Sequence, residues 1–113
     1  MPRPDSIYDR QTFAVEGRHL VRTVVRKDGS TYEHRCSLDA YKVVAHFIDE
    51  HADAGVTTGE LWQGLPDVPC TQSAVALAFL KERGCVDVRW RRCYPASTFL
   101  VEDALIEFHA HEA

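Results

Sequence analysis

Arginine is concentrated at one point of this chain, and its chemistry is anion binding. Arg89, Arg91 and Arg92 fall within four positions, and the segment 71–94 carries five basic against two acidic residues. A guanidinium group binds phosphate or carboxylate through two parallel hydrogen bonds. The whole chain is acidic, with a net charge of −4, but a locally basic segment can still attract a polyanion. The cluster therefore predicts either an anion-binding site or simply a solvated basic face.

A second group of arginines lies on a predicted N-terminal hairpin. Residues 28–29 are Asp-Gly between two β-prone runs, which favours a two-residue type I′ turn. The register of such a turn places Arg22 opposite Arg35, with Arg26 on the same outer face. Like charges directly opposite each other are destabilising. Either Glu33 and solvent relieve this repulsion, or an anionic partner lies on the face.

Three helices, a second pair of strands and a last helix are predicted after the hairpin. Ser37 is a good N-cap for the first helix, and Thr57 with Glu60 forms a capping box at the start of the second. The order β-β-α-α-α-β-β-α indicates an α+β domain. The predicted segments are an arm over 1–17, a hairpin over 18–36, helices within 37–84 with the third near 71–83, strands at 86–90 and 98–101 around a loop at 91–96, and a helix over 102–109.

The central part of the chain resembles a winged helix-turn-helix domain. The residues that carry the resemblance are VTTGEL at 56–61, QSAV at 72–75 and LKERGCV at 80–86. The resemblance implies an α+β fold with a three-helix core and a wing hairpin at 85–101. The N-terminal hairpin and a terminal helix over 102–113 are additions to that core, and residues 18–113 form one domain.

The resemblance also implies a binding site for double-stranded DNA. In DNA-binding members of the fold, the third helix enters the major groove with its N-terminal residues at the base edges. Those positions are occupied here by Thr71, Gln72 and Ser73. The wing would present its arginines to the phosphates, with Tyr94 beside them and the hairpin arginines extending the basic surface. The expected function is that of a small transcriptional regulator.

An alternative function follows from the third helix itself, which is apolar nearly all round. A helix that is apolar on every side is normally buried on every side. Val75 and Phe79 form one of its stripes, covered either by the N-terminal hairpin or by another protein. Leu105 and Phe108 on the terminal helix pack either on the domain's own core or on a second subunit. The alternative is a protein-interaction module or homodimer without nucleic-acid binding.

Several functional classes lack their usual sequence signals. We find no glycine-rich phosphate loop, nucleophile elbow or paired carboxylates, so we expect no enzyme activity and no cofactor. The four cysteines have no zinc-ligand spacing, so we expect no metal and reduced thiols. No apolar run has the length of a membrane span, and no secretory signal is visible. We therefore expect a cytoplasmic location and no membrane partner.

Overall fold

A computed structural model describes residues 10–112 and contains two antiparallel sheets and four helices within that range. The first sheet has the strand order β1-β2-β3, and the second consists of β4 and β5 alone. In chain order the elements are β1 (Arg10–Glu16), β2 (His19–Val25), β3 (Thr31–Ser37), α1 (Leu38–Glu50), α2 (Thr58–Gly64), α3 (Cys70–Glu82), β4 (Val86–Arg89), β5 (Arg92–Pro95) and α4 (Leu100–Ala110).

The predicted N-caps of the first two helices are confirmed. The Ser37 hydroxyl accepts a hydrogen bond from the backbone N–H of Ala40 at 3.1 Å. Thr57 and Glu60 form the reciprocal capping box, with both hydrogen bonds at 3.0 Å. These contacts lie within one helical turn and satisfy N–H groups that have no partner inside the helix. Local sequence therefore suffices to start both helices.

Helix α3 is the centre of the hydrophobic core. Val75 and Phe79 are fully buried, and the Phe79 ring lies 5.1 Å from the ring of Phe13 in β1. On its other side it lies 5.9 Å from the ring of Tyr41 in α1. Tyr41 in turn packs on Phe108 of α4 at 5.4 Å. The three-stranded sheet and the helices thus cover α3 from opposite sides, which explains its lack of a polar face.

The α+β class holds, but the winged helix-turn-helix assignment is wrong. A winged helix starts with its helices and ends with the wing hairpin, whereas here a three-stranded sheet precedes the helices. The sheet also uses α3 as the helix against which it packs, with Phe13 against Phe79. The physical reason is the apolar stripe on α3, which the chain buries internally.

The predicted register of the β2–β3 hairpin is wrong by one residue. Arg22 pairs with His34, and Arg35 pairs with Val21. The turn has three residues, since the N–H of Arg26 bonds to the Ser30 carbonyl at 2.8 Å and Gly29 has φ +87°. This is a type I turn followed by a left-handed residue. Because side chains alternate between faces, the shift places Arg22 and Arg35 on opposite sides of the sheet.

Three further segments differ from the sequence prediction. Residues 91–96, expected as a loop, contain strand β5, and residues 98–101, expected as a strand, lead into α4. The arm expected over 1–17 contains strand β1, and its residues 1–9 lie outside the described part. Pro95 falls on the last residue of β5, a strand end where its missing N–H breaks no internal ladder bond.

Candidate functional site

The turn between β4 and β5 places a tryptophan at the tip of a short hairpin. Arg89 pairs with Arg92 across the strands, so only Trp90 and Arg91 form the turn. Both have left-handed backbones, with φ of 53° and 69°. Trp90 is 95% exposed. Left-handed conformations cost non-glycine residues about 1–2 kcal/mol each, so the hairpin holds this side chain outward at an energetic cost.

Packing and backbone pairing fix the base of this hairpin. Cys93 and Val56 exchange two backbone hydrogen bonds, of 2.8 and 3.0 Å. The Tyr94 ring fills the space where a Cβ on Gly55 would stand, since such an atom would lie 2.6 Å from the ring. The Arg89 guanidinium lies over the same Tyr94 ring, 4.1 Å from its centroid. Arg89 and Tyr94, both predicted DNA contacts, thus form one packed pair.

Arg92 has a structural role at the same place. It forms a two-pronged ion pair with Glu60, with N–O distances of 2.9 and 3.2 Å, and also donates to the Gly55 carbonyl at 3.2 Å. The Thr57 backbone N–H and then Arg92 hold the pKa of Glu60 below its ordinary value. The guanidinium therefore ties the hairpin to the start of α2 instead of standing free for phosphate.

Two adjoining clefts extend from this hairpin to the three-stranded sheet. One, of about 490 Å³, lies between the hairpin and the start of α2, and the other, of about 510 Å³, lies between the sheet and α3. Thr58 and Lys81 line both clefts, which therefore adjoin, and we refer to the two clefts together as the groove. Arg91 lies at its hairpin end and Arg22 at its sheet end.

The predicted base-reading residues on α3 do not form a common exposed face. Thr71 is exposed, whereas Ser73 is fully buried. Gln72 is half-buried, and its Oε1 accepts a hydrogen bond of 3.0 Å from the Ser37 N–H. The start of α3 is thus anchored to the end of β3 and presents little hydrogen-bonding surface outward.

The three arginines of the β2–β3 hairpin that were predicted to contact DNA are separated from one another. Arg35 pairs with Glu16 at 3.0 Å. Arg26 lies 4.6 Å above the Tyr32 ring. Arg22 donates through Nε to Gln11 at 2.9 Å and lines the groove. The structure therefore brings Arg22 toward the same groove as Arg91, but it does not bring Arg22, Arg26 and Arg35 together.

The predicted protein-interface residues are used within the chain. Val75, Phe79 and Phe108 are fully buried, and Leu105 is partly buried against the core. The exposed large apolar side chains in residues 10–112 lie elsewhere: they are Val43, Trp62, Val88, Trp90, Phe99 and Ile106. Sequence reasoning missed Trp90 as a site residue because it placed Trp90 on the apolar face of a strand; its position between Arg89 and Arg91 was the available signal.

The potential metal ligands of the described range are dispersed over the fold. No group of three or more His, Cys, Asp or Glu side chains is positioned to hold a metal ion within residues 10–112. Burial raises the pKa of Cys36 to about 12 and that of Cys85 to about 11, so these thiols are protonated at neutral pH. None of the helices in this range is long and apolar enough to cross a membrane.

Comparisons with known proteins identify no relative. No family model, no curated protein and no solved structure matches this chain.

Proposed function

We propose that this protein is an interaction module that binds a partner protein through the tip of the β4–β5 hairpin. The observation that carries the proposal is Trp90, which is 95% exposed between Arg89 and Arg91 on a turn with two left-handed residues. Tryptophan and arginine are enriched among residues that dominate binding energy at protein interfaces. Strained backbones that persist in a folded protein are concentrated at functional sites.

The rigidity of the hairpin supports this function. Tyr94 against Gly55 and the Arg92–Glu60 pair hold the base of the hairpin, so Trp90 is presented on a fixed support. A preorganised anchor binds more tightly, because less conformational freedom is lost on association.

Duplex DNA binding is the second candidate, favoured by the exposure of Arg89 and Arg91 on a projecting hairpin. Three observations favour the interaction module instead. Arg92 and Arg35 are paired with carboxylates, Gln72 is bonded to the backbone of β3, and the chain carries a net charge of −4. Paired arginines release few counterions from a nucleic acid, which weakens the main source of DNA affinity.

The unpaired cysteines are relevant to the cellular location of the protein. We keep the cytoplasm as the proposed location, because all four cysteines are unpaired and disulfides are rare in reducing compartments.

Selection from a library of displayed random peptides tests the proposed function. We expect wild-type protein to enrich peptides whose affinity falls at least tenfold on Trp90→Ala, since truncating a tryptophan that dominates an interface costs about 2 kcal/mol or more, and about 1.4 kcal/mol is tenfold. Phe99→Ala, which removes another exposed aromatic side chain, is the matched control and should retain binding. Thermal melts of each variant confirm folding.

Two outcomes would oppose this proposal. If the enriched peptides bind the Trp90→Ala variant as tightly as wild type, Trp90 is not the binding anchor. Tight binding of a random-sequence duplex that weakens steeply with salt, and less steeply after Arg91→Ala, would favour the DNA function. Sedimentation of the chain alone covers one further case: a Trp90-dependent dimer would support the proposal with a second copy as partner.

A further inference from the structure

We propose that the groove beside the hairpin binds an extended acidic segment of the partner. This inference rests on the proposed function and adds the chemistry of the partner to it. The groove consists of the two adjoining clefts, which meet at Thr58 and Lys81. Each cleft lies within the range of volumes, about 300–1,000 Å³, that is typical of ligand sites.

Charge is the first argument for an acidic occupant. Arg22, Lys81 and Arg91 line the groove at its sheet end, its middle and its hairpin end. Among residues 10–112, none of these three forms an ion pair with a carboxylate, whereas Arg83 and Arg92 each form one and Arg35 forms two. Glu82 is the one acidic side chain among the lining residues. The lining residues therefore carry more positive than negative charge, although the chain as a whole is acidic.

The apolar lining between these cations is the second argument, and it favours a peptide over a nucleic acid. Ala74 and Ala78 are half-buried on the α3 side, and Leu77 lies between them. Val88 continues the apolar lining toward the hairpin. Small side chains let an extended backbone approach closely, and apolar contacts reward aliphatic side chains. A phosphate backbone gains nothing from such a lining.

Continuity with the hairpin tip is the third argument. Arg91 lines the groove and directly follows Trp90 in the turn. A partner segment in the groove would therefore reach the exposed tryptophan without leaving the surface. Its acidic side chains would meet Arg22, Lys81 and Arg91, and an apolar pocket of the partner would receive Trp90.

The composition and charge dependence of displayed peptides test the groove. We expect peptides enriched on wild type to be acidic, and to lose about tenfold in affinity for each of Lys81→Glu and Arg91→Glu, since each removes a charge-assisted hydrogen bond. Lys27→Glu is the matched control: it changes charge equally at an exposed residue outside the lining of both clefts. The affinity of the Lys27→Glu variant for the acidic peptides should stay within about twofold of wild type.

The outcomes separate this inference from the proposed function. One outcome would overturn the groove inference and leave the hairpin proposal standing. In it, the enriched peptides depend on Trp90 but have no excess of acidic residues, and they bind the Lys81→Glu and Arg91→Glu variants as tightly as wild type. Acidic peptides that depend on Lys81 and Arg91 but not on Trp90 would overturn the hairpin proposal alone. Oligo(dT) that binds more tightly than the acidic peptides, with the same dependence on Lys81 and Arg91, would identify a nucleic-acid groove and contradict the inference. Circular dichroism of every variant shows that it is folded.

Discussion

The hydroxyl of Ser73 is a polar group in an apolar setting. The residue is fully buried in α3, and its Oγ has no hydrogen-bond partner within residues 10–112. A buried group without a partner loses its bonds to water and receives nothing in return, at a cost of about 1–3 kcal/mol. A contact between Ser73 and DNA would have required this hydroxyl on the surface, whereas the fold places it inside.

Ser73→Ala should therefore stabilise the protein. We expect the free energy of unfolding to rise by about 1 kcal/mol, because alanine removes the unpaired hydroxyl and favours the helix. Urea denaturation measures the change. Thr71→Ala, an exposed substitution on the same helix, should change stability by less than about half as much. A less stable Ser73→Ala protein would mean that the hydroxyl is bonded, for example to a buried water.

The Glu60 carboxylate accepts three hydrogen bonds, one from Thr57 and two from Arg92. We therefore expect the stability of the protein to decrease at acid pH. The Thr57 N–H and the Arg92 guanidinium lower its pKa in the folded state from the ordinary value of 4.5. A depressed pKa contributes stability above that ordinary value, and this contribution is lost as the pH falls through the folded-state pKa.

Glu60→Gln tests this linkage. The variant should unfold at lower urea than wild type at neutral pH, and the difference between the two should shrink as the pH falls below 4.5. Urea midpoints measured across this range provide the comparison. Asp67→Asn, a carboxylate in the α2–α3 connection, serves as the control and should show no comparable convergence. A constant gap between wild type and Glu60→Gln at all pH values would refute the assigned role of the carboxylate.

The turn of the β4–β5 hairpin exposes Trp90 but destabilises the fold, because two non-glycine residues adopt left-handed conformations there. Its type of turn favours Asn-Gly, because both central residues require positive φ, yet Trp90 and Arg91 stand there. Replacing them by Trp90→Asn with Arg91→Gly should raise the free energy of unfolding by about 2 kcal/mol. The same protein should lose peptide binding. Higher stability with unchanged binding would show that the strained turn has no part in recognition.

Local sequence signals predict how elements begin, but not how strands pair. Ser37 and the Thr57–Glu60 box act within one turn of helix, and both predictions are confirmed. The Asp28-Gly29 pair is compatible with either a two- or a three-residue turn. Here the Ser30 hydroxyl and N–H both bond to the Asp28 carboxylate and lower its pKa. This contact favours the three-residue turn and moves every pair by one position.

The candidate site could be predicted only in part for the same reason. The arginines around Trp90 are visible as a cluster in the sequence, but which of them is neutralised depends on contacts between distant segments. Arg92 meets Glu60, which lies 32 positions away. Gln72 meets Ser37 across 35 positions. Neither periodicity nor spacing reveals such long-range pairs. A prediction from sequence therefore counts too many arginines as unpaired, and it wrongly assigns Gln72 and Ser73 to an exposed base-reading face.

The whole molecule depends on the packing of its N-terminal sheet against α3. Phe13 of β1 contacts Phe79, and Val15 of the same strand bonds to the His111 carbonyl at 3.0 Å. The first described strand therefore meets both the central helix and the end of α4. A segment that resembles a loose arm in the sequence thus completes the core, which also removes α3 from the surface.

Phe13→Ala measures how strongly the sheet supports the rest of the fold. We expect a loss of about 3 kcal/mol in the free energy of unfolding, because a large ring packed on Phe79 is removed. Thr12→Ala, an exposed neighbour on the same strand, should change stability by no more than about 0.5 kcal/mol. Deletion of residues 1–17 removes all of β1 and should yield a chain that binds a dye for exposed apolar surface and unfolds without a sharp transition. A truncated chain that keeps a cooperative melt would show that α1 to α4 fold without the sheet strand, and it would reopen the question of which surface α3 presents.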